Sequence, residues 1–234
     1  MSQIPTLQRP HRAVARGPRI AQLIRDADAL LIDFNGTLSD DEELIGQLVS
    51  EIAIERLGVR LDRERYFDRF LGRTEESMFQ ELSGDADPRR VGELVELFNR
   101  RYLDAVYRER RISGEAEAFV RAVHAGGTPI AVVTAASKTV AVPALSQIEL
   151  LDQIDVVVAL EDVERAKPDP ACYVQALEVL GVEPERAVAF EDSPIGFAAA
   201  RGAGLPVVGV GRGAMLSEIA TTAVDALRPD LLIS

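Results

Sequence analysis

The chain is poor in the residues that carry most redox and nucleophilic chemistry. Its one cysteine, Cys172, excludes an intrachain disulfide. Its two histidines, His11 and His124, leave no neighbours from which a Ser-His-Asp or Cys-His system could be built. His11 falls in the leading segment and His124 on a helix before Gly126, and both read as ordinary residues. Nothing near the N-terminus supplies the apolar segment that a signal peptide or membrane span requires, so a cytoplasmic protein with no membrane partner is expected. Nor is there a basic excess: 38 acids against 26 bases give a formal charge of -12, spread along the chain. That balance argues against nucleic acid as the partner and for simple solubility. There is no repeat and no low-complexity tract.

What is present is an ordinary globular composition. With 234 residues, 47% of them apolar, the chain can bury roughly 70–75% of its unfolded surface. Residues 1–28 form a leader broken by Pro5, Pro10 and Pro18, with Arg9, Arg12, Arg16, Arg19 and Arg25 preceding any acid. A loose tail and a short helix is the simpler reading of it; an organelle transit peptide is the other, although the prolines spoil a long amphipathic helix. Ala29–Ile32 then reads as a buried parallel strand delivering Asp33 to its carboxyl end, with Gly36 marking a turn.

From residue 42 to about 111 the apolar period becomes helical. Leu44, Leu48, Ile52 and Leu57, and later Leu94, Leu97, Phe98, Leu103 and Val106, predict about four helices in a compact insert. Beyond it, strands are expected at 129–133, 154–160, 187–190 and 206–210, with a short last one at 224–227. Helices alternate with them, one opening at Asp169-Pro170 and running through Leu180. That alternation predicts an α/β fold, a doubly wound parallel sheet with right-handed crossovers. Residues 29–41 and 112–234 would form its core.

Four chemistry-bearing features fall at strand ends or their loops: Asp33, Thr134 with Ala135, Lys167, and the pair Glu191-Asp192. Open α/β sheets carry their sites at that end. Several carboxylates with a lone lysine suit a hard cation such as Mg²⁺ and a phosphoryl group. Each has a plainer reading. Small hydroxylated residues after a strand can be helix caps, Glu191-Asp192 can precede the cap at Ser193, Lys167 can be a solvated loop charge, and Thr74 can cap a helix beside a solvated Arg73. Cys172, next to Tyr173 on a helix, reads as a small core residue.

Taken together, Asp33-Phe34-Asn35-Gly36-Thr37-Leu38, Thr134, Lys167-Pro168-Asp169-Pro170 and Glu191-Asp192-Ser193 with Gly196 resemble, in order, the four motifs of the haloacid dehalogenase superfamily. The resemblance runs from Ala29 to about Val210 and points to the branch that includes β-phosphoglucomutase and related sugar-phosphate phosphatases. It implies a Rossmann-like core whose first strand lies between those carrying the second and fourth motifs, with a small helical cap at 42–111. It further implies that Asp33 attacks phosphorus and that Mg²⁺ is held by Asp33, the Asn35 carbonyl, Asp192 and, through water, Glu191. Thr134 and the Ala135 N–H would hold phosphoryl oxygens, Lys167 would balance charge, and Arg73 and Thr74 would sit in the substrate-specificity loop. The partner would be a small phosphorylated metabolite, the protein a monomer or homodimer.

Asn35 departs from that pattern. The family's aspartate here protonates the leaving oxygen and later takes a proton from water, which a carboxamide cannot do. Such acid–base catalysis is worth 10²–10⁴-fold, roughly 3–5.5 kcal/mol. Three readings follow, in order of preference: a phosphatase that manages without this acid or borrows one from Asp40, Asp41, Glu42 or Glu43; a phospho-metabolite binding protein; or a phosphomutase or phosphotransferase. The last is lowered because neither Leu44 nor Ile45 supplies the cap histidine of a close β-phosphoglucomutase match. A haloacid dehalogenase proper also uses an aspartate nucleophile, but Lys167 with Glu191-Asp192 favours phosphoryl transfer. The Asn35-Gly36 step is also prone to deamidation.

Overall fold

The computed structural model describes residues 18–84, 87–211, 220 and 222–233. The arginines Arg9, Arg12 and Arg16, with His11, lie outside them. The helix expected late in the leader is α1, Pro18–Asp26. Six parallel strands follow: β1 (Ala29–Ile32), β2 (Ile130–Val133), β3 (Val156–Val158), β4 (Ala187–Glu191), β5 (Val207–Val210) and β6 (Ala223–Val224). Their order is β3-β2-β1-β4-β5-β6, which puts β1 between β2 and β4. The sheet is therefore the doubly wound parallel α/β arrangement read from the alternating pattern, with β1 placed as in the Rossmann-like core that the resemblance implies.

The continuous apolar runs hide a period of two that sorts residues between the two faces of the sheet. Leu30, Ile32, Ile130, Val132, Val188 and Phe190 pack with α1, with α6 (Gly114–Ala125) and with α7 (Lys138–Ser146). The opposite face presents small residues, Ala29, Ala131, Ala187 and Ala189, against α8 (Ala171–Leu180) and α9 (Pro194–Gly202). Those helices bring their own alanines, Ala176, Ala199 and Ala200, so backbones come close on that side. The larger face is filled by rings, with Phe119 edge-on to Phe190 at 5.9 Å.

Register then delivers the chemistry. Ile32 pairs with both Val132 and Phe190, so the residues immediately after β1, β2 and β4 emerge side by side at one end of the sheet. The Asp33 N–H donates to the Phe190 carbonyl at 3.0 Å and the Thr134 N–H to the Val158 carbonyl at 2.9 Å, extending the ladders by one residue.

Between β1 and α6 the chain builds α2 (Glu42–Ile52), which runs into a π-helical turn at Ala53–Leu57, then α3 (Arg63–Arg69), α4 (Glu75–Ser83) and α5 (Pro88–Arg108). Gly58, at φ 69°, ends the first of these in the left-handed conformation that glycine takes at no steric cost. Leu44, Val49, Ile52, Phe79, Leu94 and Phe98 form a second apolar cluster, joined by Ala136 from the loop before α7 and Val140 from its first turn. Phe98 stacks on Tyr102 at 6.0 Å and meets Phe79 at 6.4 Å. This packing holds the Tyr102 hydroxyl at the sheet end.

Strand limits differ from the sequence expectation at two places. β3 is only Val156–Val158, because the Asp155 carboxylate turns back to accept from the Ile130 N–H at 2.8 Å and Leu160 starts a 3₁₀ turn. β6 ends at Val224 rather than Leu227, whose side chain turns into the core.

Candidate active site

Asp33 leaves β1 buried, and Lys167 meets it from the loop before α8. The Lys167 ammonium donates to Asp33 Oδ1 at 2.6 Å, to Glu191 Oε1 at 2.6 Å and to the Val133 carbonyl at 2.9 Å. Three acceptors satisfy its three N–H donors. Its side chain is 3% exposed, so this is a dry ion triad in which breaking any arm strands a buried charge. Burial works against the ammonium, but Asp33 and Glu191 outweigh it and hold the proton on Lys167 firmly. Burial, then the Glu191 carboxylate, push Asp33 up to about 7 against the pull of Lys167. Tyr173 closes the underside, donating its hydroxyl to Glu191 Oε1 at 2.6 Å.

Two glycines are demanded by this crowding. A Cβ on Gly196 would lie 1.9 Å from Glu191 Oε2, and one on Gly36, at φ +74°, would lie 2.1 Å from Asp192 Oδ2. Ser193 between them caps α9, its hydroxyl accepting from the Gly196 N–H at 3.0 Å. The capping reading and a site role thus coexist in one loop.

Asp33, Glu191 and Asp192 each offer an oxygen within 4.8 Å of the others. Burial, then Glu42, Asp33 and Glu191, hold Asp192 well above the usual carboxylate range. One ammonium among three clustered carboxylates leaves negative charge uncompensated, and an all-oxygen set is what a hard divalent cation takes. The residues fit Mg²⁺.

Two residues after Asp33, Asn35 also lines the pocket. Its Nδ2 donates to Asp41 Oδ2 at 2.9 Å and reaches the Tyr102 hydroxyl at 3.4 Å. The Gly36 N–H donates to Asp41 Oδ1 at 3.2 Å, and Tyr102 donates to Asp41 as well. Asp41 is buried, its carboxyl pushed up by burial and pulled back by these donors. Glu42 lines the pocket beside it and accepts from the Tyr66 hydroxyl at 2.9 Å; burial, then Asp41, push it up to about 8. Glu75, the first residue of α4, also lines the pocket, and burial pushes it up to about 7.

The remaining expected residues divide. Thr134 is buried, its hydroxyl accepting from the Ala136 N–H at 3.0 Å, and it lines the pocket with Ala135. Ser137, not Thr134, caps α7. Arg73 lines the pocket, but its guanidinium donates to Glu81 at 2.7 Å and to Ser77, and lies over the Phe70 ring. Thr74 caps α4, accepting from the Ser77 N–H at 3.2 Å. Asp41, Tyr102, Tyr66 and Glu75 were not singled out from sequence as site residues, apart from Asp41 as one of four spare acids. No local signal marks Tyr102, which reaches Asp41 from 61 residues away.

The family model for haloacid dehalogenase-like hydrolases matches residues 30–210. Validoxylamine A 7'-phosphate phosphatase of Streptomyces hygroscopicus subsp. limoneus is 43% identical over 82 residues, which are 35% of this chain and 38% of that protein's length. Protein CbbY of Rhodobacter capsulatus is 33% identical over 193 residues, covering 77% of this chain and 83% of its own. Among solved structures, a variant of CbbY from Rhodobacter sphaeroides in complex with xylulose 1,5-bisphosphate superposes with a TM-score of 0.74 at 28% identity, over 86% of this chain and 95% of that one.

Proposed function

Since the chain belongs to the haloacid dehalogenase-like hydrolase family, we propose that it is a Mg²⁺-dependent phosphatase of a small phosphomonoester, of the sugar-phosphate class, working through an aspartyl-phosphate on Asp33. The observation that carries this is the Lys167 ammonium 2.6 Å from both Asp33 and Glu191. It aims one carboxylate at the pocket and neutralises its approach to an anion. A bound Mg²⁺, held by Asp33, Asp192, the Asn35 carbonyl and Glu191, would supply the further positive charge that the phosphoryl oxygens need.

The chain's own groups then act in two displacements. An Asp33 oxygen forms a bond to phosphorus while the bond from phosphorus to the substrate oxygen breaks, and that oxygen takes up a proton. Water next attacks the same phosphorus, the Asp33–phosphorus bond breaks, and inorganic phosphate leaves with Asp33 restored. Thr134 and the Ala135 N–H hold phosphoryl oxygens through both steps. Asn35 cannot lend the proton. Of the four spare acids, Asp40 and Glu43 are exposed, Glu43 tied to Arg63, and Asp41 is occupied by Asn35 and Tyr102. Glu42 supports the role best, because it lines the pocket and keeps its proton near neutral pH.

The test is phosphate release from a panel of sugar phosphates and an activated aryl phosphate, with and without Mg²⁺, on freshly prepared protein. Many equivalents released per site, only with the metal, is the expected result. Tight binding of the same esters with no release from any of them would leave a phospho-metabolite binding protein in its place.

A further inference from the structure

The cap side of the pocket carries a charge that the phosphatase chemistry does not use. Glu75 lines the same pocket as Asp33 and is 7% exposed. Among the described residues no cation stands within ion-pair distance of it, and no other residue donates a hydrogen bond to it. It sits at the N-terminal end of α4, where the helix dipole favours an anion. Arg73, the guanidinium that lines the pocket among the described residues, is committed to Glu81, Ser77 and the Phe70 ring. The other residues lining this wall include Tyr66, Ile45 and Met78, a hydroxyl and two apolar surfaces. A buried carboxylate with no donor beyond its own backbone N–H is costly, and the component missing from this pocket is a cation.

From this we infer that the leaving group of the substrate is a polyol bearing a protonated amine, which Glu75 receives while the phosphoryl group lies over Asp33. The second feature of such a substrate is the absence of another anion: a distal phosphate or carboxylate would meet Glu75 with no uncommitted cation among the described residues beside it. The inference rests on the phosphatase reading for the orientation of the ligand, since Asp33, with Thr134 and the Ala135 N–H, is what receives the phosphoryl group.

The probes are glucosamine 6-phosphate, glucose 6-phosphate, N-acetylglucosamine 6-phosphate and glucose 1,6-bisphosphate, compared at about pH 7.5, above the value of about 7 for Glu75 and below that of an amine. A charge-assisted hydrogen bond contributes about 1.5–3 kcal/mol, so kcat/KM for the amine should exceed that for its hydroxyl counterpart by about 10- to 100-fold. The acetylated and doubly phosphorylated probes should fall with or below glucose 6-phosphate. In Glu75→Gln, which keeps shape and removes charge, the amine preference should collapse while p-nitrophenyl phosphate turnover shows that the protein is folded. Equal rates for amine and hydroxyl probes, a preference for the bisphosphate, or an amine preference that survives Glu75→Gln would overturn the inference and leave the phosphatase standing. Titration calorimetry of Asp33→Asn with the same four probes separates the two claims. An amine preference in binding without turnover in the native protein would keep the inference and remove the phosphatase reading.

Discussion

At the floor of the pocket the buried carboxylates of Asp33 and Glu191 divide one ammonium between them, whereas on the cap-side wall the carboxylates of buried Asp41 and Glu75 and of half-buried Glu42 have only neutral donors or none. The floor is a closed set: every N–H of Lys167 is matched, and Tyr173 and Gly196 fix the geometry from below. The wall is open in charge. Its amides and phenols hold orientation without cancelling the negative potential, so its carboxyls keep their protons to higher pH. Preorganisation at the floor serves the reacting phosphoryl group, which every substrate shares, and the unsatisfied wall serves whatever is attached to it.

The difference can be broken most severely at its centre. Lys167→Met removes the one cation of the floor and leaves two buried carboxylates facing each other. Phosphate release should fall by more than about 10³-fold, and urea denaturation should show a loss of about 3–5 kcal/mol. A floor that keeps its stability in this variant would mean the triad is hydrated rather than dry.

On the wall, Glu75 reports the charge directly. Its folded value of about 7 lies above the unfolded 4.5, so its favourable contribution is complete below the unfolded value and is lost as pH rises through the folded one. Native protein should therefore lose up to about 3 kcal/mol relative to Glu75→Gln across that window, read from urea midpoints on metal-free protein. A constant difference between the two would show that Glu75 is not isolated from countercharge.

A smaller effect is expected where wall and floor meet. Asn35→Asp replaces a donor to Asp41 Oδ2 at 2.9 Å by an acceptor, and should cost about 1–3 kcal/mol. Pairing it with Asp41→Asn restores a donor and should recover most of the loss. Failure of the pair to couple would detach Asp41 from the site.

Much of the floor could be read ahead of the structure, and little of the wall. Apolar runs such as Ala29–Ile32 and Ala187–Phe190 announce a parallel sheet, and residues at its carboxyl end inherit a common location from the topology alone. The contact of Lys167 with Asp33 across 134 residues was legible only because the motifs resemble those of a known family. The wall has no such grammar. Tyr102 looks like any core tyrosine of an amphipathic helix, and Glu75 like any acid in a first turn, until packing of Phe98 on Tyr102 and burial of α4 turn them inward. For Thr74 and Ser137 the plainer readings as helix caps describe what their hydroxyls do.

The central claim, that Asp33 is the group that takes the phosphoryl, is tested most directly by steady-state phosphate release from p-nitrophenyl phosphate with Mg²⁺, native protein beside Asp33→Ala. The account predicts sustained turnover by the native protein and none by the variant while its far-ultraviolet spectrum and thermal transition persist. Turnover by Asp33→Ala at anything near the native rate would contradict it.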